Sequence, residues 1–168
     1  METPTGDLIL FAREEQRLVA LLERLCQEAK AHAAFLIDRN GRLIAGSGRA
    51  ADLDTTSLAS LAAGGMAATG GMAQLVGERG FTGLVLEGDR SHLYLAIVTD
   101  GLILVVHFDR TSSVGLVRFR VKGASDEIGR AFAAMAEQSP ARADAGPTEL
   151  QAQFAQITDE DIENLLSI

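Results

Sequence analysis

A chain of 168 residues with 47% hydrophobic and 23% charged side chains can close one domain around a real core, and it is too short for two comfortable ones. A net charge of −8 argues against general nucleic-acid binding, which rests on Lys and Arg neutralising phosphates. One cysteine, Cys26, excludes an intrachain disulfide and a cysteine-built zinc site.

The start, METPTGD, has no basic segment ahead of a long apolar one. The longest strongly apolar run, Leu102 to Val106, is far short of the roughly 20 residues a spanning helix needs. The expectation is a cytoplasmic protein with no membrane and no nucleic-acid partner. Charge is unevenly placed, since no Lys or Arg follows Arg142 while Asp144, Glu149, Asp159, Glu160, Asp161 and Glu163 do.

In chain order, Leu18, Leu21, Leu22, Leu25, Cys26 and Ala29 recur at helical spacing and predict an amphipathic helix over about 8–30. Ala33 to Asp38 and Leu43 to Ala45 flank Asn40-Gly41, a hairpin signal, and predict two antiparallel strands. The cluster Asp54-Thr55-Thr56-Ser57 can cap a helix running to about Val76. That helix is odd. Gly64, Gly65, Gly70 and Gly71 each cost about 1 kcal/mol relative to Ala in a helix interior, so something must compensate.

Strands are predicted over 81–86, 93–98 and 102–108, the last two joined at Asp100-Gly101, a turn that places Tyr94 opposite His107 and His92 opposite Asp109. The run Leu102 to Val106 does not alternate with polar residues, so helices should cover both faces of the sheet. A third helix over 113–137 would bury Leu116, Val117, Ala124, Ile128, Ala131, Phe132 and Met135. The order αββαβββα predicts an α/β fold, a three-layer sandwich with a five-stranded, mainly antiparallel sheet between helices. This domain occupies 1–137. Pro140, Gly146 and Pro147 mark a flexible linker over 138–156, and 157–168 form an acidic tail.

Enzyme chemistry finds little purchase. Cys26 lies on the inner stripe of the first helix, where an inert thiol is expected. His32, His92 and His107 read as structural or surface groups rather than a converging metal site. Gly83 to Arg90 has the glycine spacing of a P-loop without its Lys and Ser/Thr. The glycines from Gly64 to Gly71 fall inside a helix, not in a strand-to-helix turn that binds a dinucleotide. No catalytic residue, metal or cofactor is expected.

Around the second helix, Leu58, Leu61, Ala62, Gly65, Thr69, Met72 and Val76 gather on one side, which is expected to face the sheet. Ser57, Ser60, Gly64, Ala67, Gly71 and Gln74 gather on another, small and chargeless, where a solvated helix would carry Lys, Glu or Arg. Either those small residues let the helix press on its own sheet, or they meet another chain. A helix with one core face favours the second. In the tail, Thr158 can cap a helix at Asp159, with Ile157 and Ile162 as a hydrophobic staple and Ile162, Leu165 and Leu166 as an apolar edge. That pattern suits docking into a groove of a partner.

The element order, DTTSLASLAA over 54–63, GGMA over 70–73, RFRVKGASDEI over 118–128 and the tail ITDEDIENLL over 157–166 together resemble the roadblock/dynein-light-chain family, in particular its bacterial GTPase regulators. The likeness covers nearly the whole chain. It implies a homodimer whose paired second helices and adjoining sheet surface hold one Ras-like small GTPase of the MglA type. It further implies stimulation of GTP hydrolysis by repositioning switch loops, with a nucleotide-exchange role for the tail. The partner-binding residues expected are Ser60, Gly64, Ala67, Gly71 and Gln74 on the helix and Ile157, Ile162, Leu165 and Leu166 in the tail. Arg110 and Arg118 are the arginines that bare chemistry offers as a donated finger, but the resemblance implies that the GTPase brings its own. A scaffold subunit of a larger complex is the alternative. A small-molecule sensor is disfavoured, because the predicted interior has few polar groups to orient a ligand.

Overall fold

The computed structural model describes residues 5–49, 53–99 and 101–138. It has three helices, α1 (Thr5–Ala29), α2 (Thr55–Leu75) and α3 (Val114–Gln138). Five strands, β1 (Ala33–Asp38), β2 (Leu43–Gly48), β3 (Gly83–Glu87), β4 (Ser91–Thr99) and β5 (Leu102–Asp109), make one sheet of order β2-β1-β5-β4-β3. Every pairing is antiparallel. The predicted sandwich and element order are what the chain adopts. Among the described residues no helix is long and apolar enough to cross a membrane.

The central strands β1 and β5 are apolar at successive positions because both of their faces are covered. On one face Phe35, Ile37, Leu95, Ile103 and Val105 pack against Ala59, Ala62, Ala63 and Met66 of α2. By alternation Leu36, Leu104, Val106 and Phe108 turn to the opposite face and are fully buried. There α1 lies over β1 and β2 and contributes Leu18, Leu22, Leu25 and Ala29 to the core. α3 contributes Val117, Val121, Ala124 and Ile128, and its Glu127 accepts from Arg24 Nη2 of α1 at 2.6 Å. That ion pair holds the Glu127 carboxyl below the usual carboxylate range.

The two hairpin turns are built differently. In the β1–β2 connection the predicted antiparallel hairpin forms, but of Asn40-Gly41 only Gly41 takes positive φ (+80°). Instead the Asp38 carboxylate accepts from the backbone N–H of Asn40 and Arg42, both at 2.9 Å. A β-carbon at Gly41 would sit 2.7 Å from the Ser60 Cα, so this turn rests directly on the backbone of α2. Gly41→Ala is therefore expected to lower stability by about 1–3 kcal/mol, the range for strained backbone, read as a lower urea midpoint.

At the other hairpin Thr99 pairs with Leu102 and Gly101 has φ +109°, while Asp100 lies outside the described residues. The register slips between Ile97 and Thr99, leaving Val98 as a bulge. The extra residue shifts every pair beyond it. Tyr94 thus faces Val106, not His107, and His92 faces Phe108, not Asp109.

His32 instead meets Asp109, Nε2 to Oδ2 at 2.8 Å. The Asp109 carboxyl is held far below its usual range, first by the Thr111 hydroxyl and backbone N–H and then by His32. A carboxylate depressed on folding contributes stability that is present above its unfolded pKa of about 3.9 and lost as pH falls through the folded value. The urea midpoint should therefore drop as pH is lowered from about 5 to 3, and Asp109→Asn should flatten that drop.

Candidate partner-binding site

α2 is built as its capping cluster requires. Asp54 Oδ1 accepts from the Ser57 backbone N–H at 3.0 Å and Oδ2 from the Ser57 hydroxyl at 2.6 Å, and these bonds lower the Asp54 pKa. At the other end Gly77 (φ +75°) closes the helix, with Glu78 N donating to Ala73 O and Gly77 N to Gln74 O. Between the caps, residues 55–75 hold no charged side chain.

The face turned to the sheet is Ala59, Ala62, Ala63, Met66, Thr69 and Ala73, and the Thr69 hydroxyl is satisfied by Met66 O at 2.7 Å. This corrects the expected sheet face. Leu61 (74% exposed), Met72 (50%) and Val76 (68%) point outward, as does Leu75 (88%). The sheet beneath already carries the bulky Phe35, Ile37, Leu95, Ile103 and Val105, so α2 fits over it through alanines. Its large apolar side chains are left over.

The small face is where it was expected, with Ser60, Gly64, Ala67, Gly71 and Gln74 all exposed. A β-carbon added at Gly64, Gly70 or Gly71 would meet nothing within 4 Å, and one at Gly65 only touches Leu84 at 4.0 Å. Intrachain packing therefore does not explain glycine at Gly64, Gly70 and Gly71. At about 100° per residue the outward surface divides into two flanks about 100° apart. One is apolar, with Leu61, Ala68, Met72 and Leu75. The other is small and polar, with Ser60, Ala67, Gly71 and Gln74. β3, an edge strand, borders this helix, and the half-exposed Phe81 and Leu86 extend the apolar surface beyond it.

Other candidate groups sit apart from this surface. Arg118 belongs to α3, across the sheet from α2, and Arg110 follows β5 as an exposed side chain. Cys26 is 8% exposed and its thiol is pushed up to about 11, chiefly by burial and then by Glu23, so it is protonated at neutral pH. No group of three His, Cys, Asp or Glu among the described residues is placed to hold a metal ion. Ile157, Ile162, Leu165 and Leu166 lie outside the described residues, as does the linker from residue 139.

Comparison with known proteins bears on this surface. The Roadblock/LC7 domain family matches residues 18–108, which take in α2, β1 to β4 and all but the last residue of β5. Among solved structures, Myxococcus xanthus MglB is 47% identical, with 70% of this chain and 96% of that chain covered and a TM-score of 0.67. The gliding protein MglB from Thermus thermophilus is 35% identical, with 70% and 90% covered and a TM-score of 0.66. An MglB described as having a tetrameric arrangement is 33% identical, with 70% and 89% covered and a TM-score of 0.67. No curated protein sequence matches at a significant level. A family match over more than half of the residues and an alignment with MglB structures over 70% of this chain place it in the Roadblock/LC7 family.

Proposed function

We propose that this chain is a homodimeric regulator of a Ras-like small GTPase of the MglA type, acting by stimulating GTP hydrolysis. The observation that carries the reading is the outward surface of α2, a helix of 21 residues with no charge, open-faced glycines and exposed Leu61 and Leu75, in a chain 47% identical to an MglB. The apolar flank and the β3 edge meet a second copy. The small polar flanks of the two copies, brought side by side, form the floor on which one GTPase rests. Glycine at 64 and 71 lets a partner backbone approach where any side chain would hold it off.

Stimulation on this scheme needs no side chain from α2, which has no arginine to donate. Close contact fixes the GTPase switch loops in the arrangement that orients the attacking water. The tail contributes Ile157, Ile162, Leu165 and Leu166 to a shallow groove of the GTPase and its carboxylates to basic groups there, with a role in nucleotide exchange. Deletion after Gly146 is thus expected to leave the dimer and most of the stimulation intact while weakening GTPase affinity and any acceleration of labelled-GDP release. Equal affinity and release with and without the tail would remove it from the mechanism.

The second reading, a scaffold subunit that accelerates nothing, is supported by the apolar flank and by the tetrameric arrangement named for one MglB. GTP hydrolysis by an MglA-type GTPase, with and without the full chain, separates the two. A regulator raises the rate, and a scaffold binds without changing it.

A further inference from the structure

α2 has a different neighbour on each side. Gly65, on one side of the helix, approaches Leu84 of β3, so the apolar flank with Leu61 and Met72 lies toward the β3 edge. Ser60 lies on the other side, and the β1–β2 turn is seated there, since a β-carbon at Gly41 would stand 3.1 Å from Ala59 O as well as against Ser60. The small flank with Ser60, Ala67, Gly71 and Gln74 therefore lies toward β2, the opposite edge of the sheet. A surface that rests on Ser60 meets the hairpin too, because the two backbones are in contact there.

The hairpin that borders this flank is stiff and carries what the helix lacks. Asp38 N donates to Arg42 O and Gly41 N to Asp38 O, both at 3.0 Å, and Gly41 is buried against the helix. Leu43 pairs with Ile37, and paired residues on adjacent strands share a face. Ile37 is buried under α2, so Leu43 stands on the same side of the sheet, outside the core cluster that α2 covers and 42% exposed. Beside it the Arg42 side chain is 82% exposed, and its Nε lies 3.3 Å from Asp38 Oδ2. Its two terminal nitrogens have no partner among the described residues. Arg39 differs, since its guanidinium lies against Gly101 of the other hairpin.

Resting on the reading of α2 as the floor for a GTPase, we infer that the contact continues onto the β1–β2 hairpin, where Leu43 is its apolar anchor and Arg42 pairs with a carboxylate of the GTPase. The two parts divide the work. The glycine-bearing flank admits close approach, but residues 55–75 bring no charge to the contact and its small side chains bring little bulk. A leucine buried on contact supplies affinity, and a guanidinium at the rim sets the sign and register of the partner. The turn holds both residues in place before the partner arrives, so little ordering cost is added.

The test measures binding of an MglA-type GTPase, loaded with a non-hydrolysable GTP analogue, to the full chain. Leu43→Asp and Arg42→Glu are each expected to weaken it at least about tenfold, Arg42→Gln several-fold and Arg42→Lys least. Because an ion pair at a rim is screened, added salt should weaken the wild type more than Arg42→Gln, a difference that a merely structural arginine would not produce. Phe119→Ala and Lys122→Gln remove exposed groups of the same kinds from α3, across the sheet, and should leave binding unchanged. Melting curves and sedimentation check that each variant is folded and keeps the oligomeric state of the wild type. Leu43 and Arg42 variants that bind like the wild type, while Ala67→Arg with Gly71→Arg does not, would overturn the inference and leave the floor on α2 alone. Equal loss in the α3 controls, or a changed oligomeric state with Leu43→Asp, would also overturn it. A wild-type chain that binds no MglA-type GTPase would take away the proposed function and this contact with it.

Discussion

Ala67→Arg combined with Gly71→Arg is expected to weaken GTPase binding at least about 100-fold while the subunit stays folded. Both positions are exposed, and the space above Gly71 is empty, so neither substitution touches the chain's own core. Replacing glycine by arginine in a helix interior even favours the helix locally. The whole penalty falls on the partner contact, where two long cations would be forced into a surface that works by close approach. Isotherms and melting temperature together make the test clean. Unchanged binding by a folded variant would remove the small flank of α2 from the contact.

Leu61→Asp with Leu75→Asp is expected to convert the dimer to monomer. The two side chains are 74% and 88% exposed in the single chain. Burying a leucine fully contributes about 1.5–3 kcal/mol, and a twofold contact uses each residue twice. Removing four such contacts and burying four carboxylates in their place should raise the dimer dissociation constant by at least about a thousandfold. Sedimentation at micromolar concentration should then show only the 17.8 kDa species. The GTPase should also bind poorly, because its floor needs two copies of α2. A wild-type chain that sediments as a monomer at those concentrations would contradict the dimer itself.

How much of this was legible in the residues depends on which signal each element carries. β1 and β5 announce themselves because AAFLID and LILVV are apolar without alternation, which only a sheet covered on both faces tolerates. α1 could be read in detail, since Leu18, Leu22, Leu25 and Ala29 stand out against charged neighbours and are all buried. α2 could not. With no charge and with alanine, glycine, leucine and methionine all round, its sequence barely distinguishes one side from another, and the choice between Leu61 or Met72 and Ala63 or Ala73 as core was made by the bulk of the sheet beneath. Size pointed to the larger side chains, and close packing took the smaller ones.

The Val98 bulge escaped for a different reason. Register is a property of two strands and their turn together, and nothing in LYLAIVT marks the residue that drops out of the ladder. The exposure of the small face of α2 was easier to read than the register. Ser60, Gly64, Ala67, Gly71 and Gln74 were separable because an exposed, chargeless, glycine-bearing helix face is unusual wherever its buried side lies. The apolar flank beside them is hidden in the sequence, because Leu61, Met72 and Val76 share a side with residues that do face the sheet.

Single-turnover hydrolysis of labelled GTP by an MglA-type GTPase, with increasing amounts of this chain, tests the proposed function most directly. The rate should rise and saturate at two copies of the chain per GTPase, and the Ala67→Arg, Gly71→Arg variant should leave it at the intrinsic value. A GTPase that binds this chain in the same assay yet hydrolyses GTP at an unchanged rate would contradict a stimulating role and leave the scaffold reading in its place.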